Sequence, residues 1–129
     1  MASQFGIRLE EVPVGGMEDA AYRANKADRC FHCKSRLFLL LRELAQKNHI
    51  PHILCGANFD DKSDYRPGNR AAEVFGVLSP MMDIGLTKAD IRQLSRTMNL
   101  PTADLPASPC LASRVAYGLE ISEDKLSQV

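Results

Sequence analysis

Hydrophobic positions fall into short blocks whose period changes along the chain. Over residues 6–14, Ile7, Leu9, Val12 and Val14 alternate with polar residues and proline, which predicts a strand. A polar stretch at 15–28 follows. Between 29 and 48 the period becomes helical, with Cys33, Leu37, Leu40, Leu41 and Leu44 on one face. Asn48-His49-Ile50-Pro51 ends that helix, because proline pushes the residue before it out of the helical region. Residues 52–56 and 77–82 are apolar runs with the pattern of buried parallel strands. Between them lie a polar loop at 57–67 and a short helix predicted at 69–75. Thr87-Lys88-Ala89-Asp90 predicts a helix start with a reciprocal cap, followed by Ile91, Leu94 and Met98 on one face. A proline-punctuated loop runs to 109, and Ser122-Glu123-Asp124 predicts one more helix start.

Strands alternating with helices predict an α/β fold, a partial Rossmann-like parallel sheet flanked by helices. Ligands of such folds bind beyond the carboxyl ends of the strands, here the loops at 15–28, 57–67 and around 83–85. The first strand has no turn before it, and the last helix stops within two turns. Both features lead to the expectation that this is a middle segment of a longer protein. A sheet lacking its first strand would expose an edge and an apolar face, so a homo-oligomer is expected.

Composition narrows the function classes. The 129 residues are 45% hydrophobic and 25% charged, which excludes a disordered chain. Sixteen Lys and Arg offset sixteen Asp and Glu, leaving no general field for nucleic acid or an anionic membrane. The longest apolar run, Leu37 to Leu41, is far short of a bilayer span, and the start lacks the pattern of a secretory signal. A cytoplasmic protein without membrane contact is expected, its four cysteines (30, 33, 55 and 110) present as thiols.

Three stretches carry candidate chemistry. Cys30-Phe31-His32-Cys33 could clip a metal with His32, Cys55 or Cys110, or form a redox pair at a helix start. The bland alternative, that both cysteines fill the leucine face, is favoured. In 55–68, Gly56 allows close backbone approach and Asn58 can read a polar edge. Asp60, Asp61 and Asp64 suit magnesium, and Arg66 suits phosphate or carboxylate; the alternative is a solvated loop. Cys110 sits in a proline-bounded loop beside Ser113 and Arg114, neighbours that favour a thiolate, against the alternative of a half-buried loop cysteine. His49 and His52 are read as surface or capping residues.

The combination of Asp28-Arg29-Cys30-Phe31-His32-Cys33-Lys34, Cys55-Gly56-Ala57-Asn58 with Asp60-Asp61, Asp64-Tyr65-Arg66-Pro67-Gly68 and Pro106-Ala107-Ser108-Pro109-Cys110-Leu111-Ala112-Ser113-Arg114 is specific. It resembles the LarE-type, ATP-dependent sacrificial sulfur transferases of the PP-loop ATP pyrophosphatase superfamily, from about residue 6 to 129. The resemblance implies an adenine nucleotide alpha hydrolase-like fold over 1–105, with 106–129 forming a catalytic-cysteine loop and the start of a following segment. It implies ATP and Mg2+ as cofactors of the family, and adenylation of a nicotinic-acid-derived nucleotide substrate. A cysteine then gives up its sulfur and becomes dehydroalanine, on the route to a nickel-pincer cofactor. Cys110 is the implied donor. Gly56, Asn58, Asp60 and Asp61 fall on the nucleotide side, and Arg66, Ser113 and Arg114 on the phosphate or substrate side. The superfamily's SGGxDS phosphate loop is absent from these residues, so it and a carboxyl-terminal domain are expected outside this chain. The alternatives are a non-catalytic PP-loop-like domain and part of a tRNA-thiolating enzyme. The latter needs a basic patch with aromatics, which a neutral chain with 6% aromatics lacks.

Overall fold

The computed structural model describes residues 2–64 and 66–129. Among them six α-helices follow in order: α1 (Ala20–Arg23), α2 (Arg29–Lys47), α3 (Pro67–Val74), α4 (Pro80–Asp83), α5 (Lys88–Thr97) and α6 (Glu123–Ser127). Short 3-10 turns occupy Ser3–Phe5, Phe59–Lys62 and Leu111–Arg114.

The expected parallel sheet is not there. Among the described residues the two apolar runs meet at a single parallel bridge, Leu54 with Leu78. The Cys55 amide donates to the Leu78 carbonyl at 2.9 Å and the Leu78 amide to Ile53 at 2.9 Å. A ladder needs repeated partners, and the local chemistry withholds them. Gly76 turns the backbone left-handed just before the second run. Pro80, pre-set for a first helical position, opens α4 where a strand would have continued. Among the described residues the alternating stretch at 6–14 forms no β-bridge either, and Ile7 and Leu9 lie exposed. Periodicity reports which face could be buried, not whether a neighbour exists to bury it.

The core instead lies between α2 and α3. Phe38, Ala71, Ala72 and Val77 are buried, with Phe31, Leu37, Leu41, Ile53, Cys55 and Phe75 packed around them. Small residues on α3 let the two helices approach: a Cβ on Gly68 would lie 3.3 Å from Cγ of Lys34. The rings of Phe38 and Phe75 fill the space beside them, their centroids 6.3 Å apart. The buried face of α2 is therefore rotated from the leucine stripe expected from sequence. Leu37 and Leu41 belong to it, Leu40 and Leu44 are half-buried, and Cys33 is exposed. Among the described residues no helix is long and apolar enough to cross a membrane.

Candidate functional site

The loop bearing Cys110 is fixed to the opposite end of the chain by backbone groups. Ala112, Val115 and Ile121 are buried, so apolar contact holds the segment at three points. Its carbonyls are collected by two buried polar side chains near the start of α2. Asn25 Nδ2 donates to the carbonyls of Val115 (3.3 Å), Ala116 (2.8 Å) and Leu119 (2.9 Å). Arg29 Nη1 donates to Asn25 Oδ1 at 2.5 Å and to the Ala112 carbonyl at 2.9 Å. The Gly118 and Ile121 amides complete the seam, donating to the Asn25 and Arg23 carbonyls.

Cys110 stands exposed at the start of the Leu111–Arg114 turn. The hydroxyl of Ser113 donates to the carbonyl of Cys110 at 2.6 Å, closing the turn rather than addressing the sulfur. Arg114 is exposed. The docking draws in thiols that sequence spacing left apart. Arg29 Nη2 lies 3.9 Å from Cys30 Sγ, and the Cys33 thiol is pushed up by desolvation first, then by Cys110 and Cys30 beside it. Tyr22 is pushed up in the same way, by burial and then by Cys33 and Cys110. Tyr22, Cys30, Cys33 and Cys110 are thus close enough for Cys33 and Tyr22 to feel the other thiols, although no three His, Cys, Asp or Glu side chains among the described residues are placed to share a metal ion. The favoured reading of Cys30 and Cys33 as leucine-face core residues gives way to this arrangement. All four cysteines are free.

The residues expected on the nucleotide side are largely engaged in holding their own loop. Asn58 and Asp61 form a reciprocal cap over the Phe59–Lys62 turn: Asn58 Oδ1 accepts from the Asp60 amide at 3.0 Å, and Asp61 Oδ2 from the Asn58 amide at 2.9 Å. Asp60 Oδ2 accepts from the Lys88 amide at 2.8 Å, tying this turn to the start of α5. Arg66 bridges Asp61 (3.1 Å) and Asp64 (3.0 Å); Tyr65 between them lies outside the described residues. Both oxygens of Asp61 and one each of Asp60 and Asp64 are engaged in the caps and with Arg66, and no three His, Cys, Asp or Glu side chains among the described residues are grouped to hold a metal ion.

A cleft opens beside Gly56 and Asn58. About 330 Å³ in volume, it is lined by Gly56, Asn58, Pro106 and Ala107 among others. Lys88 and Arg92 of α5 line it as well. Arg66 faces a separate cleft with Asp28, His32 and Arg70. Gly56 and Asn58 thus share a cleft with Pro106 and Ala107, while Cys110, Ser113, Arg114 and Arg66 do not border it. Sequence reasoning missed Asn25, Arg29, Lys88 and Arg92. Arg29 had one visible cue, the Asp28-Arg29-Cys30 stretch, Asn25 had none, and Lys88 and Arg92 look like ordinary charges on an exposed helix.

No family model matches the chain. It is 41% identical to an uncharacterized protein of Synechocystis over 128 residues, covering 99% of this chain and 48% of that protein. An uncharacterized protein of Methanocaldococcus jannaschii is 32% identical over 105 residues, covering 81% of this chain and 41% of that protein. A Lactiplantibacillus plantarum protein named pyridinium-3,5-bisthiocarboxylic acid mononucleotide synthase is 26% identical over 129 residues, all of this chain and 47% of that one. The chain spans about half the length of the curated relatives it matches, and its similarity to the Lactiplantibacillus synthase marks a distant LarE-like relationship.

Proposed function

We propose that this chain is the cysteine-bearing part of an ATP-dependent sulfur transferase that modifies a pyridine carboxylate, with Cys110 as the sulfur donor. The observation that carries this is an exposed Cys110 on a loop held from beneath by buried polar residues, in a chain similar along its whole length to a thiocarboxylate-forming synthase. In the proposed reaction the substrate carboxylate attacks the α-phosphorus of ATP and releases pyrophosphate. The Cys110 thiolate attacks the acyl carbon and expels AMP, forming a thioester. Loss of the Cys110 α-proton then breaks its Cβ–S bond. The sulfur leaves as thiocarboxylate, and dehydroalanine remains.

The cleft running from Gly56 and Asn58 to Ala107 suits an anionic small molecule, since Lys88 and Arg92 give it positive charge. Phosphate groups there would gain charge-assisted hydrogen bonds. Ser113 and Arg114 would meet the substrate at the Cys110 end. The carboxylates of 60–64 act in this scheme by shaping the loop, and no step runs through a metal held by them.

The test joins this chain to a PP-loop segment and a carboxyl-terminal domain, and supplies ATP, magnesium and the nicotinic-acid-derived nucleotide. Cys110→Ser should still release pyrophosphate, because adenylation precedes attack by the thiol, and should form no thiocarboxylate. Sulfur transfer by that variant would overturn the assignment. The 129-residue chain alone should release no pyrophosphate, lacking the backbone amides that bind it.

A further inference from the structure

Asn25, in the turn joining α1 to α2, and Arg29, the first residue of α2, are two of the three buried polar residues among the described residues. Asn25 is fully buried and adopts a left-handed backbone at φ 51°. Such a conformation is costly for a residue with a side chain and persists where surroundings over-determine it. Here they do: its side chain serves three carbonyls and its own carbonyl receives the Gly118 amide. Arg29 is 3% exposed and pairs with no carboxylate among the described residues. Among the described residues its nitrogens meet Asn25 Oδ1, the Ala112 carbonyl and, at 3.9 Å, the sulfur of Cys30, with the Tyr117 ring 5.3 Å from its centre. A buried cation with neutral partners is a poor device for stability alone. Every carbonyl outside the turn that the two side chains collect lies at 112–119, directly after Cys110 and through the turn that Cys110 begins.

We propose that Asn25 and Arg29 are the positioning residues of the Cys110 loop, with Asn25 fixing 115–119, Arg29 fixing the Ala112 carbonyl, and the pair together setting how Cys110 is presented. The two functions separate chemically. Replacing Asn25 by Asp keeps the oxygen that Arg29 holds and turns the donor toward the three carbonyls into an acceptor. Replacing Arg29 by Lys keeps a cation able to give two hydrogen bonds; replacing it by Gln removes the charge.

This inference rests on Cys110 being the reactive thiol, but its test needs no ATP chemistry, so the two can fail separately. In the 129-residue chain, peptide-resolved hydrogen exchange and mapped iodoacetamide labelling of Cys110 relative to Cys55 are compared across Asn25→Asp, Arg29→Gln and Arg29→Lys. Asn25→Asp and Arg29→Gln should speed exchange at 110–119 on the order of tenfold and change the labelling ratio, with peptides around Phe38 and Ala71 unaffected. Arg29→Lys should return both readouts close to the parent. Should Arg29→Gln fail to fold, the contrast between Asn25→Asp and Arg29→Lys decides. Exchange that rises evenly along the chain with a falling melting temperature, or a lysine variant that rescues nothing, would overturn the proposal.

Discussion

The thiol of Cys33 illustrates how much a neighbourhood does to one group. Burial and the nearby Cys110 and Cys30 sulfurs raise its pKa above the ordinary 9.0. An acid whose folded pKa is raised favours folding below its unfolded pKa, and that advantage is lost as pH rises through the folded value. Stability should therefore fall in alkaline solution above about pH 9, and Cys33→Ser should remove that part of the slope, checked by denaturant melts from pH 7 to 10. An unchanged slope would mean that the thiols are farther apart than described. Because Cys33 is exposed, Cys33→Ala at neutral pH should cost no more than about 0.5 kcal/mol. Phe38→Ala, which empties the centre of the core, should cost about 3–5 kcal/mol. Legibility at this scale followed chemistry that is local. Cys110, Asn58 and Asp61 stood out by type and spacing, whereas Asn25 and Arg29 act on carbonyls some ninety residues away, a relation no window of sequence contains.

Helices were legible where their ends carry their own signals. At α5, Thr87 Oγ1 accepts from the Asp90 amide while the Asp90 carboxylate accepts from the Thr87 amide and hydroxyl, which also holds that carboxyl below its usual range. No residue of α5 is buried, so little tertiary contact compensates for a lost cap. Thr87→Ala should cost about 1 kcal/mol, seen as a lower denaturation midpoint with faster amide exchange confined to α5. The start of α6 at Ser122 was equally visible. The runs at 52–56 and 77–82 were not, because an apolar run closed by glycine fits a strand and an irregular half-buried segment alike. Only the single Leu54–Leu78 bridge separates the two. The same ambiguity misaligned the buried face of α2, where close approach of α3 through Gly68 and Ala71 places Phe31 and Phe38 with Leu37 and Leu41 in the core cluster.

Across the whole molecule, apolar surface is unevenly covered. Leu54, Val74, Leu78 and Ile84 are all exposed, at 61%, 64%, 43% and 73%, on segments adjoining the bridge. Contiguous apolar surface promotes association, and we propose that this chain self-associates: sedimentation at high micromolar concentration should show dimers or larger species, and a clean monomer would refute this. The central claim concerns Cys110, and intact-protein mass with peptide mapping across Ser108–Arg114 tests it most directly. The chain, joined to a PP-loop segment and a carboxyl-terminal domain, is taken through one reaction with ATP, magnesium and the nicotinic-acid-derived nucleotide. The account predicts a single turnover with loss of the mass of one hydrogen sulfide at Cys110. Repeated turnovers with Cys110 unchanged would contradict it.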